Sequence, residues 1–449
     1  MASPCHYPVT HDSGSVKAAT ALLAQARPHL RSASWSTAEY LFYPLLMLVA
    51  TPVLVASLGT ADFGLLMLTN AVAGIGGAGG LGMGAATIKF VSSAMGRGHR
   101  AEAVHVIRTT LGLALAGTAF VAGVIVLTAS PLAAHVFEKM GEHGHVTIAL
   151  MFAALNLLIM QVDGVYAAGL RGLERFGTAA RLEIGFKLTA VVAVMAVAWF
   201  TRDLIAVLVT SGACLAASGL AKGWTLGRLL GGSVLRVGLG DRAMLRTVLN
   251  FGWWNWLSGI GGLMFVHADR LLIGALIGAK AVGYYAVCTQ LAQQVHALPA
   301  AAMAFLFPLI SRKLHTDDRR SLMRLRNYGV AANVALSLTL GAGMLAFGPM
   351  LLAWWMGRDF AAESSHILLW LTLAYFVLSL NVAPYYLLLG HNEARYVSVT
   401  NLAGGGMGLI AAVILLPTLG VIGAAQARMV LGLATLANYW RLYRPRVAP

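Results

Sequence analysis

The chain has 449 residues, 58% of them hydrophobic and only 11% charged, with a formal net charge of +15. Soluble domains carry about a quarter charged residues, so there is too little polar surface here to cover the two or three soluble domains expected at this length. Apolar runs of about 20 residues, the length that spans a bilayer as a helix, recur instead. The composition therefore excludes a soluble enzyme and points to a polytopic membrane protein.

Taken in chain order, residues 1–34 are polar and interrupted by Pro4, Pro8 and Pro28. Their one apolar piece, AATALLAQA, is short and precedes Arg27 and Arg31, so it does not read as a secretory signal. A disordered or surface-lying tail is expected. Apolar runs then predict helices over 36–58, 63–91, 107–129, 146–169, 182–200, 204–222, 250–276, 281–310, 328–349, 362–389, 397–417 and 420–440. The expected fold is all-α, with about twelve transmembrane helices in two six-helix lobes. A cytoplasmic tail (1–34) leads into an N-terminal lobe (35–222). A cytoplasmic inter-lobe loop (223–249) then joins a C-terminal lobe ending in a short cytoplasmic tail (250–449). The three cysteines, Cys5, Cys214 and Cys288, show no pairing or metal spacing.

Orientation follows from Lys and Arg. With the N-terminus inside, 25 of the 32 basic residues fall in inward segments. The outward ones are Lys139, Arg202, Arg270, Lys280 and Arg358, while Lys187 and Arg428 lie within spans. This positive-inside bias places both termini in the cytoplasm. It also accounts for the basic charge without a nucleic-acid partner, whose signature would be a basic patch on one face.

The segment LGTADFGLL at 58–66 recurs as IGAKAVGYY at 277–285. A shift of 219 puts Gly59 on Gly278, Gly64 on Gly283 and Ser92 on Ser311. A shift of 218 puts Asp163 on Asn381 and Gly172 on Gly390, and 217 aligns the helix pairs of 182–222 and 397–440. An ordered series of small shifts is the mark of an internal repeat. Six helices per repeat keep both halves in one orientation, so the lobes should be related by an axis along the membrane normal, with a cavity between them.

A charge near a helix centre costs about 2.5–3.5 kcal/mol on insertion scales and is usually functional or paired. Such charges are Glu39, Lys89, Asp163, Glu183, Lys187, Asp269, Arg270 and Arg428. Snorkelling accounts for Lys89 and Lys187, close to the inner end. Asp163 lies about 9 Å from the inner end, Arg270 about 9 Å and Arg428 about 12 Å from the outer end, at 1.5 Å per residue. Asp269 and Arg270 point about 100° apart and cannot neutralise each other, so each needs its own partner or water. A water-lined face of the seventh span meets that need; a structural charge network tying helices together is the alternative.

Other motifs carry less. GAGGLG at 77–82 fits a dinucleotide pattern but has no preceding strand, so its glycines are read as allowing close packing or a bend. His135, Glu138, Glu142, His143 and His145 cluster in an outer loop without metal-site spacing. Trp253, Trp254 and Trp256 are read as an interfacial belt, with stacking on sugar rings in a cavity as the alternative. No catalytic triad, nucleotide loop or paired catalytic carboxylates stand out, so the chain is read as a non-enzyme.

The run ADRLLIGALIGAKAVGYYAVCTQLAQQ followed by FPLISRKL, together with LGTADFGLLMLTN, GLRGLERFG and LPTLGVIGAAQA, resembles the polysaccharide-transporter branch of the flippase superfamily that also holds multidrug extruders. The resemblance covers most of the chain after residue 35. It implies a bacterial inner-membrane flippase of the O-antigen and exopolysaccharide type, moving an undecaprenyl-pyrophosphate-linked repeat unit from the cytoplasmic to the periplasmic leaflet by rocking of two six-helix bundles. The partners implied are the lipid-linked oligosaccharide, membrane lipids, and the polymerase and other assembly proteins. For such an anionic headgroup, Arg270, Arg428, Lys187 and Lys89 are the candidate substrate-binding cations. Asp163, Asp269 and Glu39 are the carboxylates that a coupling proton or sodium ion would address, and no other cofactor is expected. The alternatives are a cation-coupled multidrug antiporter of the same superfamily and, in a different class, a membrane enzyme or scaffold of glycan assembly.

Overall fold

The computed structural model describes residues 13–234, 236, 238, 242–313, 319–391 and 393–444. Sixteen α-helices run through them. The first half holds α1 (Ser13–Gly76), α2 (Met83–Gly96), α3 (Arg100–Pro131), α4 (His143–Gly172), α5 (Phe176–Thr201) and α6 (Leu204–Leu230). The second half begins with α7 (Arg242–Leu276), α8 (Ala279–Ala292), α9 (Gln294–Met303), α10 (Leu306–Lys313) and α11 (Arg319–Met356). It continues with α12 (Arg358–Leu380), α13 (Val382–Gly390), α14 (Ala394–Leu419), α15 (Val421–Thr435) and α16 (Ala437–Leu442). Every predicted apolar run lies in this helical framework. Among the described residues, nine helical stretches are long and apolar enough to cross a membrane. The first, Pro44–Gly80, contains most of the first predicted span and part of the second, separated at Gly59, where φ is +83° and the helix breaks. Helix α1 starts at Ser13, upstream of the predicted start at 36.

The repeat is visible in three dimensions. Within the first half α3 packs on α4, α4 and α5 on α6, and α1 on α5. Within the second half the counterparts pair likewise: α11 on α12, α12 and α14 on α15, and α7 on α14. Turn geometry repeats as well. Positive φ with extended ψ occurs at Gly59 and Gly278 and at Gly141 and Gly357. The second helix of each half is also interrupted, a few residues out of register. In the first half the break is a 3-10 turn over Gly77–Gly80 followed by left-handed Leu81 and Gly82. In the second it is the α8–α9 junction at Gln293. The glycines at 74–84 thus form a break, and its exposed carbonyls find partners. Gln161 donates to Gly77 O at 3.1 Å and Trp256 Nε1 to Ala78 O at 2.6 Å. Such compensation is what lets a helix break inside a membrane. Trp256 is therefore an interior strut and not part of an interfacial belt.

The two halves meet tightly at one end. A methyl group added to Gly64 would collide with the Ala279 carbonyl, and one added to Gly283 with the Thr60 carbonyl. These contacts exchange under the 219-residue shift, as a two-fold axis requires. Lys139 Nζ donates to Leu276 O at 2.9 Å beside them, Trp355 Nε1 to Leu48 O at 2.8 Å, and Thr51 Oγ1 to Gln290 Oε1 at 2.8 Å. The largest apolar core, including Phe63, Leu66, Ile273, Val282 and Tyr285, joins both halves at this end. At the other end there are two distinct cores. One is built around Met83, Ile107 and Leu226 and takes in Val248 at the start of α7, the other around Ile310, Leu387 and Leu442. The joined end is the one away from the basic segments.

Candidate functional site

Each half buries a charged cluster. In the first, Lys222 of α6 is fully buried and donates to both Asp163 oxygens at 2.7 Å and to Glu183. Ser218 donates to Asp163 Oδ1 at 2.7 Å, and Lys187 lies 3.0 Å from Glu183, one turn along α5. Two acids and two bases from α4, α5 and α6 therefore balance. Lys222 is not legible as a buried charge in the sequence, because the predicted span 204–222 ends on it and the residues after it are basic. The structure carries α6 on to Leu230, which puts Lys222 inside.

In the second half, Arg428 of α15 lies 2.8 Å from Asp269 of α7 and donates to Tyr375 of α12. Tyr285 of α8 donates to the same Asp269 oxygen at 2.5 Å. Asp269 is 8% exposed. The partner that Asp269 required is thus Arg428, 159 residues away, and the network ties four helices together. The repeat gives these residues telling counterparts. Asp269, Tyr285 and Arg428 correspond to Ala50, Leu66 and Ser211, and all three of those line a cavity of about 380 Å³ in the first half. Asp163, Glu183, Lys187 and Ser218 also line it. One lobe fills this space with an ion-pair network; the other leaves it open.

Arg270 stands apart from both clusters. It is half-buried, and among the described residues its guanidinium has no ion pair or hydrogen bond. Nearby, Gly74 leaves room for the His267 ring of α7, so this part of α7 faces the other lobe. Lys89 is exposed and sits 4.0 Å above the Phe251 ring, linking α2 to α7. The side chains of Glu39, Trp253 and Trp254 lie outside the described residues. In the outer His/Glu cluster His145 lies 3.9 Å from Glu142 and His143 3.3 Å from Ser130. Among the described residues no group is placed to hold a metal ion.

The model of the family described as "Polysaccharide biosynthesis protein" matches residues 29–314. The chain belongs to that family. Among its relatives, the putative O-antigen transporter of Shigella flexneri is 20% identical over 362 residues, covering 79% of this chain and 83% of that one. The probable low-salt glycan biosynthesis flippase Agl15 of Haloferax volcanii is 21% identical over 62% of this chain and 57% of that one. A solved structure of a multidrug resistance MATE family transporter, in an inward-facing conformation, covers 89% of this chain and 93% of that one at a TM-score of 0.70 and 14% identity. The polysaccharide biosynthesis family thus supplies the sequence relationship. The fold is shared with drug transporters and does not by itself choose a substrate.

Proposed function

We propose that this member of the polysaccharide biosynthesis family is a flippase. It moves an undecaprenyl-pyrophosphate-linked oligosaccharide from the cytoplasmic to the periplasmic leaflet of a bacterial inner membrane. It crosses the membrane twelve times in two six-helix lobes, with both termini cytoplasmic, and hands its product to glycan-assembly proteins. The names of its relatives support transport of a glycan precursor. The observation that carries the anionic substrate is Arg270, a membrane-level cation that is half-exposed and unpaired among the described residues. Among the described residues, the other deep charges, Lys89, Asp163, Glu183, Lys187, Lys222, Asp269 and Arg428, each have a protein partner. A cation without one at that depth is costly unless water or an anion meets it, and a pyrophosphate meets it twice.

The lobes share their largest core at the end away from the basic segments; at the other end the two cores are distinct, bridged at the start of α7 by Val248. This is the arrangement for loading from the cytoplasmic leaflet. An inside-negative potential then favours outward movement of the anion by about 2.3 kcal/mol per charge per 100 mV. Coupling to a proton or sodium ion at Asp163 or Asp269 is compatible with this scheme but not required by it. A cationic-drug antiporter would instead place an unpaired acid here, and a glycan-assembly enzyme would need nucleophilic or acid–base groups converging on a site.

The test is flipping in proteoliposomes. Fluorescent undecaprenyl-pyrophosphate oligosaccharide is reconstituted with the wild-type protein and with Arg270→Ala, with and without an imposed potential. Flipping by the wild type, cut at least ten-fold by Arg270→Ala, is expected. Absence of flipping, with ethidium efflux driven by a proton or sodium gradient, would overturn the proposal in favour of the drug antiporter.

A further inference from the structure

The second half contains a cavity of a different chemical kind, of about 270 Å³. It lies where two helices are interrupted. The junction between α8 and α9 falls at Gln293, three residues before His296, and that between α12 and α13 falls at Asn381. The second break has a covalent cause. Pro384 has no N–H to offer the Leu380 carbonyl one turn back. That carbonyl accepts instead from Tyr439 Oη at 2.7 Å and Asn333 Nδ2 at 3.1 Å. His296 stands halfway along the predicted span 281–310, and interrupted helices near the midplane are where transporters of this general build hold their cargo.

Beside Ala300, Leu378 and Val382, the wall of the cavity is polar, uncharged and aromatic. His296, Asn381, Tyr385, Tyr386 and Asn401 supply an imidazole, two amides and two phenols, and among the described residues no Asp, Glu, Lys or Arg lines it. The Tyr385 and Tyr386 rings stand edge to face, 5.3 Å between centroids. Much of this polarity is unused by the protein. The buried Nδ1 of His296 has no hydrogen-bond partner. The Tyr385 hydroxyl and the Asn401 amide also have none among the described residues. Asn381 uses only its oxygen, which accepts from Asn438 Nδ2 at 2.8 Å and leaves its own Nδ2 to the cavity. Leaving the buried His296 Nδ1 unpaired is destabilising, and several polar groups converging on one cavity is how a binding site fixes a ligand's orientation.

The repeat shows that this wall is particular to one lobe. The counterparts of Tyr385 and Tyr386 are Ala167 and Ala168, and the counterpart of Asn381 is Asp163, which is held in the ion-pair cluster. The same backbone thus carries a charge cluster in one half and a neutral, ring-lined pocket in the other.

We propose that this pocket binds one uncharged sugar ring of the lipid-linked glycan and is where the protein discriminates among glycans, an inference that rests on the flippase reading above. A sugar ring carries hydroxyl and acetamido groups that both donate and accept, matching an imidazole, amides and phenols, and its C–H face suits a tyrosine ring. At 270 Å³ the cavity falls just below the range of about 300–1,000 Å³ typical of drug-sized ligands, which fits a single ring. The pyrophosphate, which needs cations, does not belong here.

The test uses full-length protein in nanodiscs and two probes: undecaprenyl pyrophosphate alone, and the same carrier bearing one N-acetylglucosamine. Binding is read by native mass spectrometry. The wild type is expected to bind the glycosylated carrier at least ten-fold more tightly than the bare one. His296→Leu and Asn401→Leu should abolish that difference and leave binding of the bare carrier within two-fold. Tyr385→Phe, which removes one hydroxyl and keeps the ring and the fold, should reduce it about three-fold. Equal affinity of the wild type for the two probes, or full discrimination retained in all three variants, would overturn the pocket and leave the flippase reading standing. Equal weakening of both probes would mean a structural role and overturn it too. If the wild type binds neither probe, the flippase reading falls and takes this inference with it.

Discussion

Replacing Lys222 by methionine isolates what the charge cluster of the first lobe does for the fold. Methionine keeps the length and the apolar stem and removes only the ammonium. In the wild type two acids, Asp163 and Glu183, face two bases, Lys222 and Lys187. Attraction across the 2.7 Å between Lys222 and Asp163 is about 6 kcal/mol at an effective dielectric near 20, and the cost of desolvating both ions offsets much of it. Removing one partner forfeits the attraction and leaves the other ion buried. Broken buried pairs lose about 3–5 kcal/mol, on the order of 10 °C in Tm at about 2–4 °C per kcal/mol. The double variant Asp163→Asn, Lys222→Met leaves Glu183 against Lys187, a balanced pair, and should recover most of the loss. Glu183→Gln, Lys222→Met should recover less, because Asp163 would face no close base. Thermal unfolding in detergent, followed by tryptophan fluorescence, reads all three. A Lys222→Met protein as stable as the wild type, or a double variant no better than the single one, would refute the reasoning.

Arg428 and Arg270 should separate cleanly in the same assay. Arg428→Ala exposes a buried Asp269 to an unpaired state and should lower stability by about 3–5 kcal/mol, whereas Arg270→Ala should stay within about 0.5 kcal/mol while reducing flipping. Gly64→Ala and Gly283→Ala should each push the joined ends apart, costing about 1–3 kcal/mol by overpacking. Each should also raise labelling of a cysteine placed at Thr60 by an impermeant maleimide added from outside. Arg202 holds φ +52° where its repeat counterpart is Gly420 at +60°. Arg202→Gly should therefore stabilise by about 1 kcal/mol, seen as a higher Tm.

The resemblance in the sequence led to the right family, and the reason is physical. Hydropathy is additive along one helix, so every predicted apolar run falls on helix among the described residues. Gly59, Gly64, Gly278 and Gly283 announced the repeat because positive φ and close backbone approach both demand glycine. Arg202 shows where this signal weakens, since an arginine occupies a left-handed position that no pattern would assign it.

Side-chain partners were a different matter. Asp269 had to find a base, and sequence could argue only that the adjacent Arg270 pointed the wrong way. That Arg428 supplies it depends on the depth and rotation of α15 against α7. Lys222 looked like the first residue of a loop, because hydropathy cannot tell a solvated lysine from one neutralised by Asp163 and Glu183. Trp256 looked interfacial until the carbonyl freed by the Gly77–Gly80 break gave its N–H a partner. The sequence by itself determined the membrane helices, a property of local composition, and the repeat, a property of where glycines must recur. Only the tertiary structure decided which charges cancel, which stays open at Arg270, and which lobe carries a neutral pocket, because these depend on how helices distant in sequence are turned toward one another.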